Sequence, residues 1–274
     1  MLTSPRLSAM YVYPVKSMQG ISVQSWRVDE RGMELDRRWM VVDKNNKFLS
    51  QRQIPRLSLI SVSVSGENLI LHAPKSGSLE IPQRLESPLR VAVKVWDDEL
   101  QASPAGSPVS QWLSDELGIP SNLVYMPNDT KRYVSKTHAV NRDFYGFADA
   151  FPFLIVSEGS LEELNRRLEK PLPMNRFRPS LVLSGCAPFA EDGWKEIRIG
   201  NVEFRVAKAC SRCSTTTVNQ ATAEMGKEPL KTLSTFRERD GKVYFGQNAI
   251  HRSPGILSIG AAVSILQTAA PLIQ

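Results

Sequence analysis

No apolar run in the 274-residue chain approaches the roughly 18 residues that a membrane-spanning helix needs. The first ten residues lack both the basic start and the apolar core of a secretory signal. The expectation is a cytoplasmic protein with no membrane partner. Cysteine is scarce, with three residues at Cys186, Cys210 and Cys213. An odd, low count argues against a disulfide framework and for reduced thiols. A ferredoxin-type iron–sulfur cluster takes four cysteines, so no iron–sulfur cluster is expected in this chain. Histidine is also scarce, and His72, His138 and His251 are scattered. The chain has no basic block with interleaved aromatics, so nucleic acid is not an expected partner. The net charge of +6, from 34 basic and 28 acidic residues, is spread along the chain. That excess suits a pocket for an anionic small molecule, and equally a solvated basic surface.

The remainder reads as a globular, mainly β chain long enough for one large domain or two moderate ones. Residues 7–13, 21–28 and 39–43 alternate or run apolar as strands. Lys44, Asn45, Asn46 and Lys47 suit a hairpin turn, and Gly66, Glu67 and Asn68 suit another between 59–64 and 69–71. Residues 89–96 form a strand that turns at Asp97 and Asp98. A helix follows, with Ser107 at its N-cap, Pro108 at its first position and Gly118 as its stop. The polar stretch 126–142 marks a boundary, dividing the chain into residues 1–126 and 127–274.

The second unit opens with the apolar run 151–156. Ser160 and Glu163 form a capping-box pattern ahead of Leu161, Leu164 and Leu168. Residues 180–183 read as a strand. Residues 196–199 and 202–207 flank Gly200-Asn201, a strong two-residue hairpin signal. Residues 215–218 are β-branched and read as extended. Pro229 begins a short helix, and 243–250 and 256–266 read as closing strands.

Chemistry concentrates at Ala209-Cys210-Ser211-Arg212-Cys213. Two cysteines three apart suit part of a zinc site, a redox pair, a single functional thiolate or two buried thiols. Zinc needs about four ligands, and only scattered residues remain to supply them. A thioredoxin-like pair sits at a helix start, whereas a strand is expected after Cys213. Arg212 and Lys208 would favour a thiolate, which is a soft ligand for a redox metal. Buried thiols stay open on spacing alone.

With Thr216, Thr217 and Val218, this run resembles the MOSC domain, in the branch that contains mitochondrial amidoxime-reducing component and YcbX. Further motifs match that branch in order: Tyr13-Pro14-Val15-Lys16-Ser17 with Gly20; Asp36-Arg37-Arg38-Trp39-Met40; and Gln51-Arg52-Gln53. They continue with Phe147-Ala148-Asp149-Ala150, Asn175-Arg176-Phe177-Arg178-Pro179 and Glu191-Asp192-Gly193-Trp194. Glu228-Pro229-Leu230-Lys231-Thr232-Leu233 and Phe245-Gly246-Gln247-Asn248 complete the series, which spans nearly the whole chain.

The resemblance implies an N-terminal β-barrel-like domain followed by a MOSC β-barrel with peripheral helices, and a molybdenum cofactor of the molybdopterin type. It assigns Cys213 as metal ligand and catalytic residue. The cofactor-binding positions it implies are Lys16, Ser17, Arg37, Ala148, Asp149, Ala150, Arg178, Cys210, Ser211, Arg212 and Asn248. It further implies reduction of N-hydroxylated compounds such as amidoximes, hydroxylamines and N-hydroxylated base analogues. YcbX carries a ferredoxin-like domain after its MOSC domain; this chain departs from that pattern and lacks the cysteines, so electrons are expected from a separate flavoprotein or ferredoxin-type partner. Cys210 reads as a backbone donor or packing thiol, and Cys186 as a packing residue. A non-enzymatic cofactor carrier is the alternative, because MOSC domains also end the molybdenum cofactor sulfurases.

Overall fold

A computed structural model describes residues 4–139 and 141–272, so the outermost ends of the two expected units lie outside the described residues. Strands dominate, as the alternating pattern requires. The largest sheet among the described residues has nine strands. Its order runs Ile21–Ser22, Arg6–Val12, Leu181–Ser184, Phe153–Ser157, Lys242–His251, Val202–Ser211, Trp194–Ile199, Val263–Thr268. The strand Glu238–Arg239 pairs with Lys242–His251 off this path. Leu181–Ser184 and Phe153–Ser157 run parallel, joined through the helix Glu158–Arg167. A four-stranded sheet orders Trp39–Asp43, Ser121–Tyr125, Asp98–Pro104 and Val91–Val95.

Two pairings tie the N-terminal strands to the second half of the chain. Arg6–Val12 pairs antiparallel with Leu181–Ser184. Ser25–Asp29 pairs with Gly255–Ser258. One apolar core runs through both halves, from Leu7, Met10 and Trp39 to Phe153, Leu181 and Phe204, all fully or almost fully buried. Such a continuous core couples the halves mechanically, because close-packed interiors transmit displacement. It also carries the loop after Arg6–Val12, with Tyr13 to Ser17, alongside the loop before Leu181–Ser184, with Arg178.

Several local expectations shift. The stretch 21–28 breaks into Ile21–Ser22 and Ser25–Asp29, because Val23 N–H bonds back to Met10 O at 3.1 Å. The stretch 256–266 breaks into Gly255–Ser258 and Val263–Thr268 around Gly260, at φ +86°. The helix Ser107–Leu117 is capped by Gly106 rather than Ser107, while Gly118 ends it in the left-handed conformation at φ +73° as expected. The helix Glu158–Arg167 starts from Ser157, whose Oγ accepts from Ser160 N at 3.1 Å. Ser160 is instead buried and donates to Glu191 Oε1 at 2.7 Å. A buried carboxylate attracts the nearest hydroxyl more strongly than an exposed capping geometry does. Cys186 packs partly buried against the main core, as read. Burial and the nearby Glu191 push its thiol up to about 11.

Candidate functional site

Cys213 lies just beyond the ten-residue strand Val202–Ser211, where the chain leaves the sheet. The expected strand at 215–218 is instead a 3-10 turn, Ser214–Thr217. Local side-chain bonding overrides β-propensity: Thr216 Oγ1 donates to Cys213 O at 2.9 Å and Thr217 Oγ1 to Ser214 O at 2.8 Å. One ground for setting a redox pair aside is thereby removed. The two thiols have different partners, however: Arg212 Nη1 meets Cys210 Sγ at 2.9 Å, and Arg52 Nη1 meets Cys213 Sγ at 3.6 Å.

The Cys213 thiol is held below the ordinary thiol range. Burial works upward, but hydrogen bonds from the Thr215 hydroxyl and N–H, with the charges of Arg212 and Arg52, outweigh it. Each of these favours the charged form. Cofactor-free protein should therefore alkylate at Cys213 at a lower pH than at Cys186. Arg52→Met should move the Cys213 profile upward, since removing a cation destabilises the thiolate. Iodoacetamide labelling across pH, read by peptide mass, checks this; an unmoved profile would exclude Arg52 as a stabiliser.

Arg52 links the thiol to a second cluster. Its guanidinium stacks on the Trp96 ring at 4.4 Å. Trp96 Nε1 donates to Asp149 Oδ1 at 3.2 Å. Asp149 Oδ1 also receives Lys16 Nζ at 2.5 Å, and Lys16 Nζ donates to Phe147 O at 2.8 Å. Desolvation raises the Asp149 carboxyl, but Lys16, Arg52 and the indole N–H together hold it well below the usual range. Lys16 is only 5% exposed, and that burial pulls its ammonium down against the attraction of Asp149. Arg132 clamps the same segment from behind, donating to Ala148 O, to Asp149 O at 3.3 Å and to Asp98 Oδ2 at 2.6 Å.

A third cluster surrounds Tyr13. Arg37 and Arg178 both lie 4.3 Å from its ring centroid. Arg37 Nη1 pairs with Asp36 Oδ2 at 2.5 Å, and Tyr13 N donates to Asp36 Oδ1 at 2.8 Å. Burial pushes the Tyr13 hydroxyl up to about 12, against the pull of Arg178 and Arg37. Burial also brings Arg178 down to about 10, which leaves it charged at neutral pH. Ser17, Arg37 and Arg178 all have left-handed φ, at 72°, 47° and 55°. Such residues cost of order 1–2 kcal/mol each and gather at functional sites. A cavity of about 390 Å³ opens beside Arg178, with Tyr13, Gln19, Asn175 and Gln220 in its wall. Gly146 is required where these loops meet, because a Cβ there would lie 2.6 Å from Arg37 O.

The fold thus joins Lys16, Ala148 and Asp149 in one cluster, Arg37 and Arg178 in another, and Cys210, Arg212 and Cys213 in a third. Ser17 connects through its carbonyl, which accepts from Gln51 Nε2 at 2.7 Å; Gln51 in turn bonds Gln220 at 3.0 Å. Asn248 sits on the central strand Lys242–His251, opposite Leu154 and Lys208. Ser211 is exposed at a strand end, and Ala150 is exposed beside Asp149. Ser211 joins the third cluster through its carbonyl, which accepts from Cys210 Sγ at 3.9 Å, whereas among the described residues no side-chain hydrogen bond joins Ala150 or Asn248 to these clusters.

Sequence reasoning missed Arg52 and Gln51 as site residues, although the Gln51-Arg52-Gln53 motif was the available signal. It also missed Thr215 and Trp96. Trp96 gave no signal, because the turn was expected at Asp97 and Asp98. It occurs at Trp96 and Asp97, between paired Val95 and Asp98.

Residues 4–120 match the family model described as MOSC N-terminal beta barrel domain, and residues 143–264 match that of the MOSC domain. The chain is 36% identical over 280 residues to mitochondrial amidoxime-reducing component 1 of Homo sapiens, covering 95% of this chain and 82% of that one. Mitochondrial amidoxime reducing component 2 of Bos taurus is 33% identical over 92% of this chain and 77% of its own. Molybdenum cofactor sulfurase of Oryza sativa subsp. japonica is 32% identical over 88% of this chain and 32% of its own. The chain therefore belongs to the MOSC family, in the group that places a MOSC N-terminal β-barrel domain before the MOSC domain and that includes the mitochondrial amidoxime-reducing components.

Proposed function

We propose that the protein is a molybdenum-cofactor oxidoreductase that reduces N-hydroxylated compounds with electrons from a separate protein of flavoprotein or ferredoxin type. The observation that carries this reading is the Cys213 thiol, stabilised as thiolate by Thr215, Arg212 and Arg52 beside a cluster of further cations. Lys16, Arg37, Arg52, Arg178 and Arg212 stand against two carboxylates, Asp36 and Asp149. Among the described residues, Arg212 Nε is a buried donor with no hydrogen-bond partner. This donor set fits a multiply anionic ligand bearing phosphate and sulfur.

In this reading Cys213 holds the metal, and Arg52 and Arg212 offset the charge of the thiolate and its neighbours. Lys16, Arg37 and Arg178 take the anionic part of the cofactor, with the Ser17 and Ala148 to Ala150 backbones alongside. Asn248 and Asp149 offer amide and carboxylate partners to a pterin ring. The cofactor, when bound, supplies the two-electron chemistry that converts an N–OH group, with two protons, to N–H and water. Similarity to the amidoxime-reducing components supports the substrate class. The expected result is turnover of benzamidoxime to benzamidine by molybdenum-replete protein under a chemical reductant. Absence of turnover in protein shown to contain the metal would remove this reading.

A second reading is cofactor carriage without catalysis, favoured by similarity to molybdenum cofactor sulfurases. Transfer of bound cofactor to an apoenzyme acceptor separates the two.

A further inference from the structure

Trp96 occupies a position that sequence economy would give to glycine. Strands Val91–Val95 and Asp98–Pro104 are joined by two residues, Trp96 and Asp97. The first position of that turn has φ 56°, a left-handed value that glycine adopts freely and a bulky residue does not. The strain is not offset by full burial, because the indole remains 42% exposed. It is instead held in place from several sides. Asp149 accepts its N–H, Arg52 stacks on its ring, and the Phe48 ring lies 5.2 Å away. Asp98, two residues on, is pinned by Arg132, which also holds the Ala148 carbonyl. A strained, rigid and half-exposed aromatic that the surroundings over-determine points to use rather than to folding.

Its place in the site indicates the use. A single guanidinium, that of Arg52, separates the indole from the Cys213 sulfur. A planar substrate whose N–OH group approaches the thiolate end would bring its remaining conjugated surface against the indole. We propose that Trp96 is a substrate-binding residue that selects flat, conjugated N-hydroxylated compounds, such as aryl amidoximes and N-hydroxylated heterocyclic bases, over small aliphatic ones. This rests on the reductase reading and adds to it a specificity determinant. Stacking on a half-exposed indole supplies contact area at little entropic cost, since the ring is already immobilised. Arg52, stacked on the same ring and 5.9 Å from the Phe48 ring, stays directed at the sulfur.

The test uses the full-length, cofactor-loaded protein with two variants. Trp96→Gly removes the ring and relieves the left-handed strain, so loss of folding is not expected; Trp96→Phe keeps a stacking face. The first measurement needs no turnover: calorimetric titration with benzamidine, a flat non-reducible ligand, against acetamidine. The wild type should bind benzamidine saturably, with the affinity weakened about tenfold or lost in Trp96→Gly, as expected for loss of one aromatic stack. The second is the ratio of kcat/KM for benzamidoxime to that for acetamidoxime. It should fall about tenfold in Trp96→Gly, mainly through KM, and be largely restored in Trp96→Phe. An equal fall for both substrates would mean that Trp96 acts only by positioning Arg52, and would overturn the proposal. So would benzamidine binding that is absent in the wild type or unaltered in Trp96→Gly. A protein that binds benzamidine through Trp96 but reduces neither amidoxime would instead remove the reductase reading and leave the stacking site standing.

Discussion

Cys213→Ala is expected to abolish molybdenum binding while the protein stays folded. In the proposed function the thiol is the soft ligand of the site, and its partners favour its thiolate form. Alanine supplies no donor atom, and the surrounding cations can hold an anionic cofactor only weakly without a metal bond. The fold should survive, because the contacts that shape this turn are made by backbone: Cys213 O accepts from Thr216 N at 3.1 Å and from Thr216 Oγ1 at 2.9 Å. Cys213 is only partly buried, so deleting its sulfur leaves no sealed cavity. Elemental analysis of wild type and variant, made in a cell that synthesises the cofactor, reads the metal, and circular dichroism reads the fold. Metal retained at the wild-type level in folded Cys213→Ala would move the ligand elsewhere. Cys210→Ser provides the control, because the Cys210 thiol meets Arg212 rather than Arg52.

The largest stability effect is expected at Asp192. Its carboxylate receives Arg237 Nη2 on one oxygen and Gln247 Nε2, at 2.6 Å, on the other. Both members of the ion pair are 5% exposed. Among the described residues, Asp192→Ala leaves the buried guanidinium with the Tyr244 carbonyl at 3.3 Å and the Phe189 ring at 4.2 Å. Removing one partner of a buried pair costs about 3–5 kcal/mol, because the remaining charge is desolvated without compensation. That is a large share of a typical domain stability of roughly 5–15 kcal/mol. Asp192→Asn keeps the shape and one acceptor and should cost less. The urea midpoint measures both; a shift in Asp192→Ala equivalent to less than about 1 kcal/mol would show that the pair is relaxed or hydrated. The effect should reach the site, since Gln247 adjoins Asn248 on the strand Lys242–His251.

The parts of the fold that could be read from the chain were those set by neighbours in sequence. The Gly200-Asn201 hairpin, the Gly66 hairpin and the stop at Gly118 all follow from glycine or asparagine in a tight turn flanked by apolar runs. The misplaced details were those where a specific side-chain hydrogen bond, distant or local, outbid intrinsic propensity. Glu191 drew Ser160 out of the capping position, and hydroxyl bonds to backbone carbonyls bent Thr215 to Thr217 out of the extended form. Trp96 could not be foreseen as a turn residue, because local sterics disfavour it there and only Asp149, Arg52 and Phe48 hold it.

The sequence by itself determined the class, mainly β, and set a thiol at Cys213 with Arg212 beside it. Ordered motifs also identified the family before any coordinates. Only the tertiary structure decided which groups act on that thiol. Arg52 is 161 residues from Cys213, and Lys16 is 133 from Asp149. Nothing local encodes such pairs. They meet because Arg6–Val12 joins the sheet next to Leu181–Ser184 and one apolar core runs through both halves of the chain. Thiolate stabilisation falls off within a few ångströms, so it depends on where that core places the charges rather than on their order in the chain.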